Sequence, residues 1–380
     1  MAATISWDNL RQLAAFRAVK GCAVSLYLDL DPSNAPTAGD VQTRARSLLD
    51  GAGKSDGARR GESTHDQRQA LREDFERIRR YFEDEFDRDG VQGLALFTSA
   101  LDNLWRPLPL VGSVADEVHV GRELYLTPLV PLVGRGEGAL VAMVSREQGR
   151  LYQLRGGRLE DLADRFDEQP GQHDQGGWSQ ARFRRHIEKL VEEHLKAVAE
   201  ELAQHVRRLR SARVVVVCAE EMRSGFEAML PKEVRAAIVG WAQAEAHATP
   251  AELLEVASPP LEAAREREET GAVERWREEA GRNGRAASGW EETLEAASDG
   301  RVDVLLFTEG VSHDAWQCPA CGRVGASGGR CPLDGTEMEE RSDGLDLAVH
   351  QTLVHGGSVW ALRHRGDLDP VEGVGAVLRY

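Results

Sequence analysis

A long amphipathic stretch in the middle of the chain constrains the fold more than any other feature of the sequence. Apolar side chains recur there at steps of three and four residues: Phe183, Ile187, Leu190, Val191, Leu195, Val198 and Leu202. This period is typical of a helix that buries one face. Ser179 is the predicted N-cap, because its hydroxyl can accept hydrogen bonds from the free amides of the first turn. The sequence therefore predicts one long helix that starts at Ser179 and packs on a core.

A glycine-rich loop precedes this helix, and a cluster of basic residues lies at its start. The turn-forming residues of the loop are Pro170, Gly171, Gly176 and Gly177. The first turns of the helix carry three arginines, Arg182, Arg184 and Arg185. Residues 176–213 contain nine Lys and Arg against five Glu, in a chain of net charge −16. A basic island on an acidic protein predicts a local contact with an anion, and RNA phosphate is the leading candidate.

The length and composition indicate a soluble protein of two or three domains. The chain has 380 residues, of which 41% are hydrophobic and 29% charged. Its apolar runs are too short to span a bilayer, and its first residues lack the pattern of a signal peptide. Five cysteines, three of them in one cluster, favour a reducing cytoplasm over a disulfide framework. The net negative charge disfavours broad coating of nucleic acid, and we expect neither a membrane nor DNA as partner.

Residues 1–133 predict an N-terminal α/β domain. We expect helices at 7–18, 41–49 and 67–86, and a strand at 23–30 whose apolar and polar residues alternate. Residues 92–98 and 102–108 predict a hairpin. The polar, glycine-rich segment 50–65 predicts a flexible surface loop.

Residues 134–282 predict a middle domain, and residues 283–380 a C-terminal domain. The middle domain begins with a three-strand meander over 139–145, 149–155 and 158–162. After the long helix it continues with a buried strand at 213–218, a helix at 221–230, a strand at 234–242 and a helix at 250–276. The C-terminal domain carries helices at 289–297 and 345–355, and strands at 302–307, 358–363 and 374–380. Strands that alternate with helices predict a mixed α/β chain, α/β or α+β in class.

A zinc-ribbon pattern interrupts the C-terminal domain over residues 313–340. Two short segments each present potential ligands three positions apart: Cys318 and Cys321, then Cys331 and Asp334. Gly322 and Gly335 allow the backbone to turn beneath a metal ion. Because carboxylate oxygen is an accepted zinc ligand, these four residues can complete a tetrahedral structural site. His313 is the alternative fourth ligand, and a ribbon that has lost its metal is the alternative to the site itself.

The residues around the long helix resemble class-1 archaeo-eukaryotic peptide release factors and Pelota. Those proteins carry a Gly-Gly-Gln loop, then a serine, an Arg-Phe pair and a long charged helix. Gly176, Gly177, Ser179 and the Arg182-Phe183 pair match that pattern, and Trp178 stands where the family has glutamine. A second similarity lies at the C-terminus, where a glycine-rich turn leads into Leu378-Arg379-Tyr380. The sequence is most similar to the bacterial branch of these proteins.

The resemblance implies a ribonuclease-H-like middle domain and an α/β/α sandwich as the third domain. It implies binding at the ribosomal acceptor site, with the loop directed at the peptidyl-transferase centre and with rRNA and tRNA as partners. A translational GTPase would be a further partner. Gly176, Gly177, Trp178, Ser179, Arg182, Arg184 and Arg185 would be the RNA-contacting residues. The first domain lacks the Asn-Ile-Lys-Ser loop with which relatives read codons, so stop-codon reading is not expected.

Several mechanisms remain open at this stage. With Gln180 in place of the motif glutamine, the chain would be a peptidyl-tRNA hydrolase active in release or rescue. Without such catalysis it would block idle ribosomes, as hibernation relatives do. A tRNA-cleaving enzyme and a non-catalytic interaction scaffold are the remaining alternatives.

Overall fold

The structure is a computed structural model that describes most of the chain. It covers residues 5–31, 37–58, 64–87, 91–133, 138–155, 157–166, 179–209, 212–245, 247–282, 284–363 and 365–380. Side chains at 54–58, 164–185 and 187 lie outside this description. The chain divides into two compact units: unit 1 contains residues 1–135 and 269–380, and unit 2 contains residues 136–268.

The N-terminal part of unit 1 is an antiparallel sheet covered by helices. Its elements are α1 (Trp7–Ala14), β1 (Ala23–Asp29), α2 (Ala38–Ala58), α3 (His65–Arg80), β2 (Gly93–Ser99), β3 (Leu104–Leu110) and β4 (Glu117–Gly121). A π-helical turn spans Tyr81–Glu85 and a 3-10 turn spans Thr127–Leu132. The strand order is β3-β2-β1-β4. Both faces of β1 are buried: Val24 and Leu26 pack towards α2 and α3, and Tyr27 packs on the opposite face.

Unit 2 is built on a five-stranded mixed sheet. Its elements are β5 (Ala139–Val144), β6 (Gln148–Arg155), β7 (Arg158–Phe166), α4 (Ser179–Arg208), β8 (Arg213–Val217), α5 (Glu220–Met229), α6 (Lys232–Ala237), β9 (Ile238–Ala242) and the first part of α7 (Pro250–Gly281). The order is β7-β6-β5-β8-β9, with β5, β8 and β9 parallel and the meander antiparallel. Leu140 and Val216 face the core beneath α4, while Val141 and Val215 face α7.

The C-terminal part of unit 1 is a second sheet with an inserted ribbon. Its elements are β10 (Ala286–Ser288), α8 (Gly289–Ser298), β11 (Val302–Thr308), β12 (Ala315–Gln317), β13 (Val324–Gly325), β14 (Glu339–Arg341), α9 (Gly344–Val354), β15 (Ser358–Leu362) and β16 (Val374–Leu378). A 3-10 turn spans Asp369–Val371. The main sheet has the order β10-β16-β11-β15, and the ribbon sheet has the order β13-β12-β14.

The structure confirms the mixed α/β class and most of the predicted elements. Two local predictions were wrong. The segment 50–58 continues α2 and is not a loop, and the predicted strand 234–242 is helix α6 followed by the shorter strand β9. The helix α6 follows Pro231, whose fixed φ suits the residue before a helix.

The termini of the chain share one core within unit 1. Leu10, Phe97 and Leu126 belong to the same buried cluster as Leu305 and Val374. The division into domains 1–133, 134–282 and 283–380 therefore remains a prediction, as do the ribonuclease-H-like and sandwich assignments. Within the described part of the chain, no helix is both long enough and apolar enough to cross a bilayer.

Candidate functional site

Helix α4 is held to unit 2 by its C-terminal half. It has 30 residues, which corresponds to roughly 45 Å at 1.5 Å per residue. Val198 and Leu202 are each only 1% exposed and pack on β5 and β8. Towards the start of the helix, His186, Glu188 and Lys189 are exposed. The anchored half thus fixes the direction in which the helix extends towards Ser179.

The predicted loop residues lie largely outside the described part of the chain. Gly176, Gly177 and Trp178 are outside it altogether. Five predicted site residues lie in the first turns of α4 with only their backbone described, namely Ser179, Gln180, Arg182, Arg184 and Arg185. The helix does begin at Ser179, where the sequence pattern placed its start, but the roles of these side chains stay predictions.

Much of the predicted basic island pairs with the protein's own carboxylates. The Nζ of Lys196 lies 2.6 Å from Glu192, and that of Lys189 lies 3.5 Å from Glu193. Two further cations pair across elements, each at 2.9 Å: Arg207 with Glu233 and Arg213 with Glu268. These are surface pairs of small energy, yet they reduce the local excess of positive charge. The described cations of α4 therefore offer little excess charge to an anion.

The ribbon of unit 1 brings the four predicted metal ligands together. One ligand atom from each of Cys318, Cys321, Cys331 and Asp334 lies within 4.8 Å of the others. The Cys318 thiol donates to Asp334 Oδ2 over 3.4 Å, and the sulfurs of Cys321 and Cys331 are 3.5 Å apart. His313 is not part of this group: its ring stacks on Trp290 with centroids 4.7 Å apart. Asp334 is thus the fourth member of the cluster.

Two equivalent backbone turns build this cluster. The N–H of Gly322 donates to the carbonyl of Cys318, and the N–H of Gly335 donates to that of Cys331, both at 2.9 Å. Gly322 and Gly335 have φ values of +79° and +75°, a conformation that side chains other than glycine rarely adopt. Each turn points two potential ligands to the same side of the ribbon. The ligand spacing and the glycine that follows it in the sequence therefore account for the observed geometry.

The charges of the cluster fit a divalent cation. The backbone N–H of Thr336 donates to Asp334 and holds the pKa of that carboxyl well below its usual range. The backbone N–H of Arg323 lowers the pKa of the Cys321 thiol, but burial and the neighbouring thiol and carboxyl groups raise it to about 12. All four groups can be ionised together only if a cation balances them, and three thiolates with one carboxylate form a donor set that zinc accepts.

Sequence reasoning missed a cavity of about 740 Å³ in unit 1. It lies beside β4 and the ribbon strand β14, and its lining includes Arg17, Gln67 and His119. Three arginines and three carboxylates line it together, so it has no net preference for an anion. Five separate stretches of the chain form its wall, and no local pattern in the sequence could have indicated it.

A buried carboxylate joins the two parts of unit 1. Asp346 on α9 accepts from the N–H groups of Leu126 and Thr127 at 2.7 and 2.9 Å, and from the Thr127 hydroxyl at 2.8 Å. Burial raises the pKa of this carboxyl to about 6. Since it satisfies the backbone of a turn, its role is to hold unit 1 together.

Comparison with known proteins finds a family profile whose match contains α4. The sequence profile described as "Bacterial archaeo-eukaryotic release factor family 10" matches residues 125–265. "Peptide chain release factor subunit 1" of Archaeoglobus fulgidus is 27% identical over 253 residues, which cover 62% of this chain and 60% of that protein. Over residues 125–265 the chain is thus similar to the bacterial branch of the archaeo-eukaryotic release factors.

Two further similarities are shorter or weaker. The protein of the same name from Aeropyrum pernix is 43% identical to this chain over 61 residues, 16% of each chain. The structure of S. cerevisiae Dom34 covers 76% of this chain and 79% of that one, at 12% identity and a TM-score of 0.41. That TM-score is too low to support an argument. The matched region spans about 60% of the length of the first archaeal relative, so an activity of the whole protein does not follow from the match.

Proposed function

We propose that the chain is a ribosome-associated translation factor of the release-factor type. It binds at the ribosomal acceptor site, contacts rRNA and tRNA, and directs its Gly-Gly-Trp loop at the peptidyl-transferase centre. One observation carries this proposal: the profile match at 125–265 contains the loop and all of α4. The archaeal relatives that match are named as peptide chain release factor subunits.

The anchoring of α4 supports the proposed direction of the loop. Among the side chains of this helix that the structure describes, those at 186, 188 and 189 are exposed and the buried apolar ones run from Leu195 onwards. From Ser179 to Leu195 the helix rises roughly 24 Å at 1.5 Å per residue. A rod fixed at one end can present the loop at its other end to a distant surface, with Arg182, Arg184 and Arg185 next to RNA phosphates.

The residue at the loop tip favours a blocking mode over catalysis. Trp178 stands where the resemblance places the glutamine of the release motif, and an indole can stack on a base but cannot orient a water molecule as a glutamine amide can. The chain would then occupy idle or stalled ribosomes in hibernation or rescue. Hydrolysis of peptidyl-tRNA with Gln180 as the replacement glutamine is the competing mechanism. A tRNA-cleaving enzyme and a scaffold without RNA contact are less favoured.

The ribbon cluster serves as a structural zinc site in this proposal. Cys318, Cys321, Cys331 and Asp334 would hold the ion, and four protein ligands leave no open position for chemistry. We place the protein in the cytoplasm, with a translational GTPase as a candidate for its delivery.

Co-sedimentation with ribosomes tests the binding step. Wild-type protein is expected to pellet with 70S ribosomes, and Arg184→Glu/Arg185→Glu is expected to lose most of that binding because it repels phosphate. Lys232→Glu/Arg235→Glu is the matched control, since it makes the same change in charge at two exposed positions of α6. Equal binding by all three proteins would favour the scaffold.

A peptidyl-tRNA assay on programmed ribosomes separates the mechanisms. In the blocking mode wild-type protein releases no peptide, and Trp178→Ala weakens ribosome binding. Peptide release that disappears in Gln180→Ala would establish the hydrolase instead. Fragments of tRNA would establish the nuclease.

Metal analysis of the purified chain tests the zinc site. We expect one zinc ion per chain in the wild type and in Cys218→Ser, whose cysteine lies in unit 2. Cys331→Ser should contain none, because it removes a ligand of the cluster. Equal zinc contents in the two variants would refute the assignment.

A further inference from the structure

Two thiols of the ribbon cluster lie almost in contact but differ in exposure. The sulfur of Cys321 is 3.5 Å from that of Cys331. Cys321 is exposed, whereas Cys331 is 3% exposed and Cys318 is fully buried. A soluble oxidant can therefore reach one sulfur of the pair directly, with the second sulfur already beside it.

The third thiol interacts with the other two but also has a carboxylate partner. Cys318 donates to the carboxylate of Asp334, and its sulfur accepts from the backbone N–H of Cys321 at 3.5 Å. Because the fourth member of the cluster is a carboxylate, the cluster contains an odd number of thiols. It can form one disulfide but not two, and the buried thiol beside Asp334 is the one left over.

We propose that Cys321 and Cys331 are an oxidative modification site at which a hydroperoxide forms a disulfide. This inference does not depend on the proposed role at the ribosome. A disulfide sulfur no longer acts as a thiolate ligand, so the oxidised cluster retains only Cys318 and Asp334 for a cation. Oxidation thus converts a metal-holding ribbon into a disulfide-closed ribbon.

The reaction with hydrogen peroxide balances in two steps. The Cys321 thiol loses its proton to solvent as its sulfur attacks one peroxide oxygen, the O–O bond breaks, and the sulfur becomes a sulfenic acid while hydroxide leaves. The Cys331 thiolate then attacks the Cys321 sulfur, the S–S bond forms and a second hydroxide leaves. The two sulfurs lose two electrons in total and the peroxide gains two. Protons from solvent convert both hydroxides to water.

Thiol counting and peptide mapping of the full-length chain test this proposal. The chain has five cysteines. Hydrogen peroxide in modest excess is expected to reduce the free thiols from five to three, with one disulfide-linked peptide pair that contains Cys321 and Cys331. Dithiothreitol should restore five. Cys218→Ser is the matched control, and its count should fall from four to two, while Cys321→Ser should form no disulfide.

The outcomes separate this inference from the zinc assignment. A disulfide that joins Cys318 to either partner, or a count that stays at five, overturns the inference. If the ribbon holds zinc, a chromogenic chelator should record the release of one ion per disulfide formed. A protein that contains no zinc but forms the Cys321–Cys331 bond would refute the zinc site and support the redox pair. Retention of zinc alongside the mapped disulfide would refute the loss of ligands proposed above.

Discussion

Helices α4 and α9 show two different ways in which a helix serves this chain. Among the described side chains of α4, the buried apolar residues lie in its second half, and exposed charges flank them. By contrast, α9 is buried on nearly every side and contacts α1, α8, β11 and β15. It carries Asp346 and Thr352 into the interior of unit 1.

The difference in burial corresponds to a difference in task. A helix that must reach a partner keeps part of its surface free, so its apolar period is easily read from the sequence. A helix at the centre of a unit contacts protein on all sides, so the apolar residues in its sequence do not identify one buried face. The comparison predicts that changes in α9 weaken unit 1, whereas changes in the exposed half of α4 leave unit 2 intact.

Removal of a buried leucine from each helix gives the largest expected effects. Leu353 and Leu202 are both 1% exposed, and each substitution Leu353→Ala or Leu202→Ala should cost about 2–5 kcal/mol. Hydrogen exchange followed by peptide should quicken throughout unit 1 for the first and throughout unit 2 for the second. Glu200→Ala, at an exposed position of α4, is the control. Faster exchange in unit 1 after Leu202→Ala would contradict the separate roles.

The buried carboxylate of α9 should make unit 1 sensitive to pH. Its pKa of about 6 in the folded chain exceeds the ordinary value, so the folded state keeps a proton that the unfolded state has lost. Stability from this group is therefore complete below about pH 4 and declines as the pH rises to about 6, by about 3 kcal/mol in total.

Asp346→Asn isolates that dependence. All three hydrogen bonds end on Oδ1, an acceptor that asparagine also has, whereas the amide does not ionise. We expect urea midpoints of the variant to decline less between pH 4 and pH 7 than those of the wild type. Asp8→Asn, at a carboxylate with 69% side-chain exposure, should follow the wild type. An unchanged pH profile in Asp346→Asn would argue against the raised pKa.

The contact between α4 and β6 depends on a missing side chain. A Cβ at Gly149 would lie 2.3 Å from Val198 Cγ2, so Gly149→Ala should destabilise unit 2 by about 1–3 kcal/mol. A Cβ added at Gly225 on α5 would meet no heavy atom within 4 Å beyond its chain neighbours and the backbone of its own helix. Gly225→Ala should therefore stabilise unit 2 by about 0.5–1 kcal/mol. Thermal melts of both variants test the contrast. Recovery in Gly149→Ala/Val198→Ala would assign the loss to this contact.

The exposed ion pairs of α4 should contribute least. Lys196 and Glu192 are four residues apart on one helix and both side chains are more than half exposed. Lys196→Ala should therefore leave the free energy of unfolding close to that of the wild type. Denaturation at low and high salt is the measurement. A larger loss that disappears in high salt would show that the pair acts within a wider charge network.

Strong periodicity made much of the fold predictable. The alternation at β1, the apolar run at β8 and the helical stripe of α4 each identified an element correctly. The prediction for segment 234–242 was wrong because its apolar residues are compatible with a helix or a strand. Tertiary packing places a short helix before the strand. The continuation of α2 through 50–58 was missed because the glycines and polar residues of this segment are typical of a loop.

The site was predictable where it is local and not where it is assembled. The cluster of three cysteines and Asp334 follows from ligand spacing and two glycines, both of which can be read from the sequence. The large cavity is lined by both Arg17 and Asp343, and the bond from Asp346 reaches Leu126, 220 positions away, which no pattern within one segment reveals. The partners of the lysines on α4 follow from helical spacing, whereas those of Arg207 and Arg213 required the fold.

The discontinuity of unit 1 has a consequence for biosynthesis. Its core combines residues from the start of the chain, such as Leu10, with residues from the end, such as Val374. Unit 2 is continuous, so a growing polypeptide can complete it while the earlier segment still lacks its C-terminal complement. Until the last strand emerges, the nascent N-terminal portion displays apolar surface and is a natural client for chaperones.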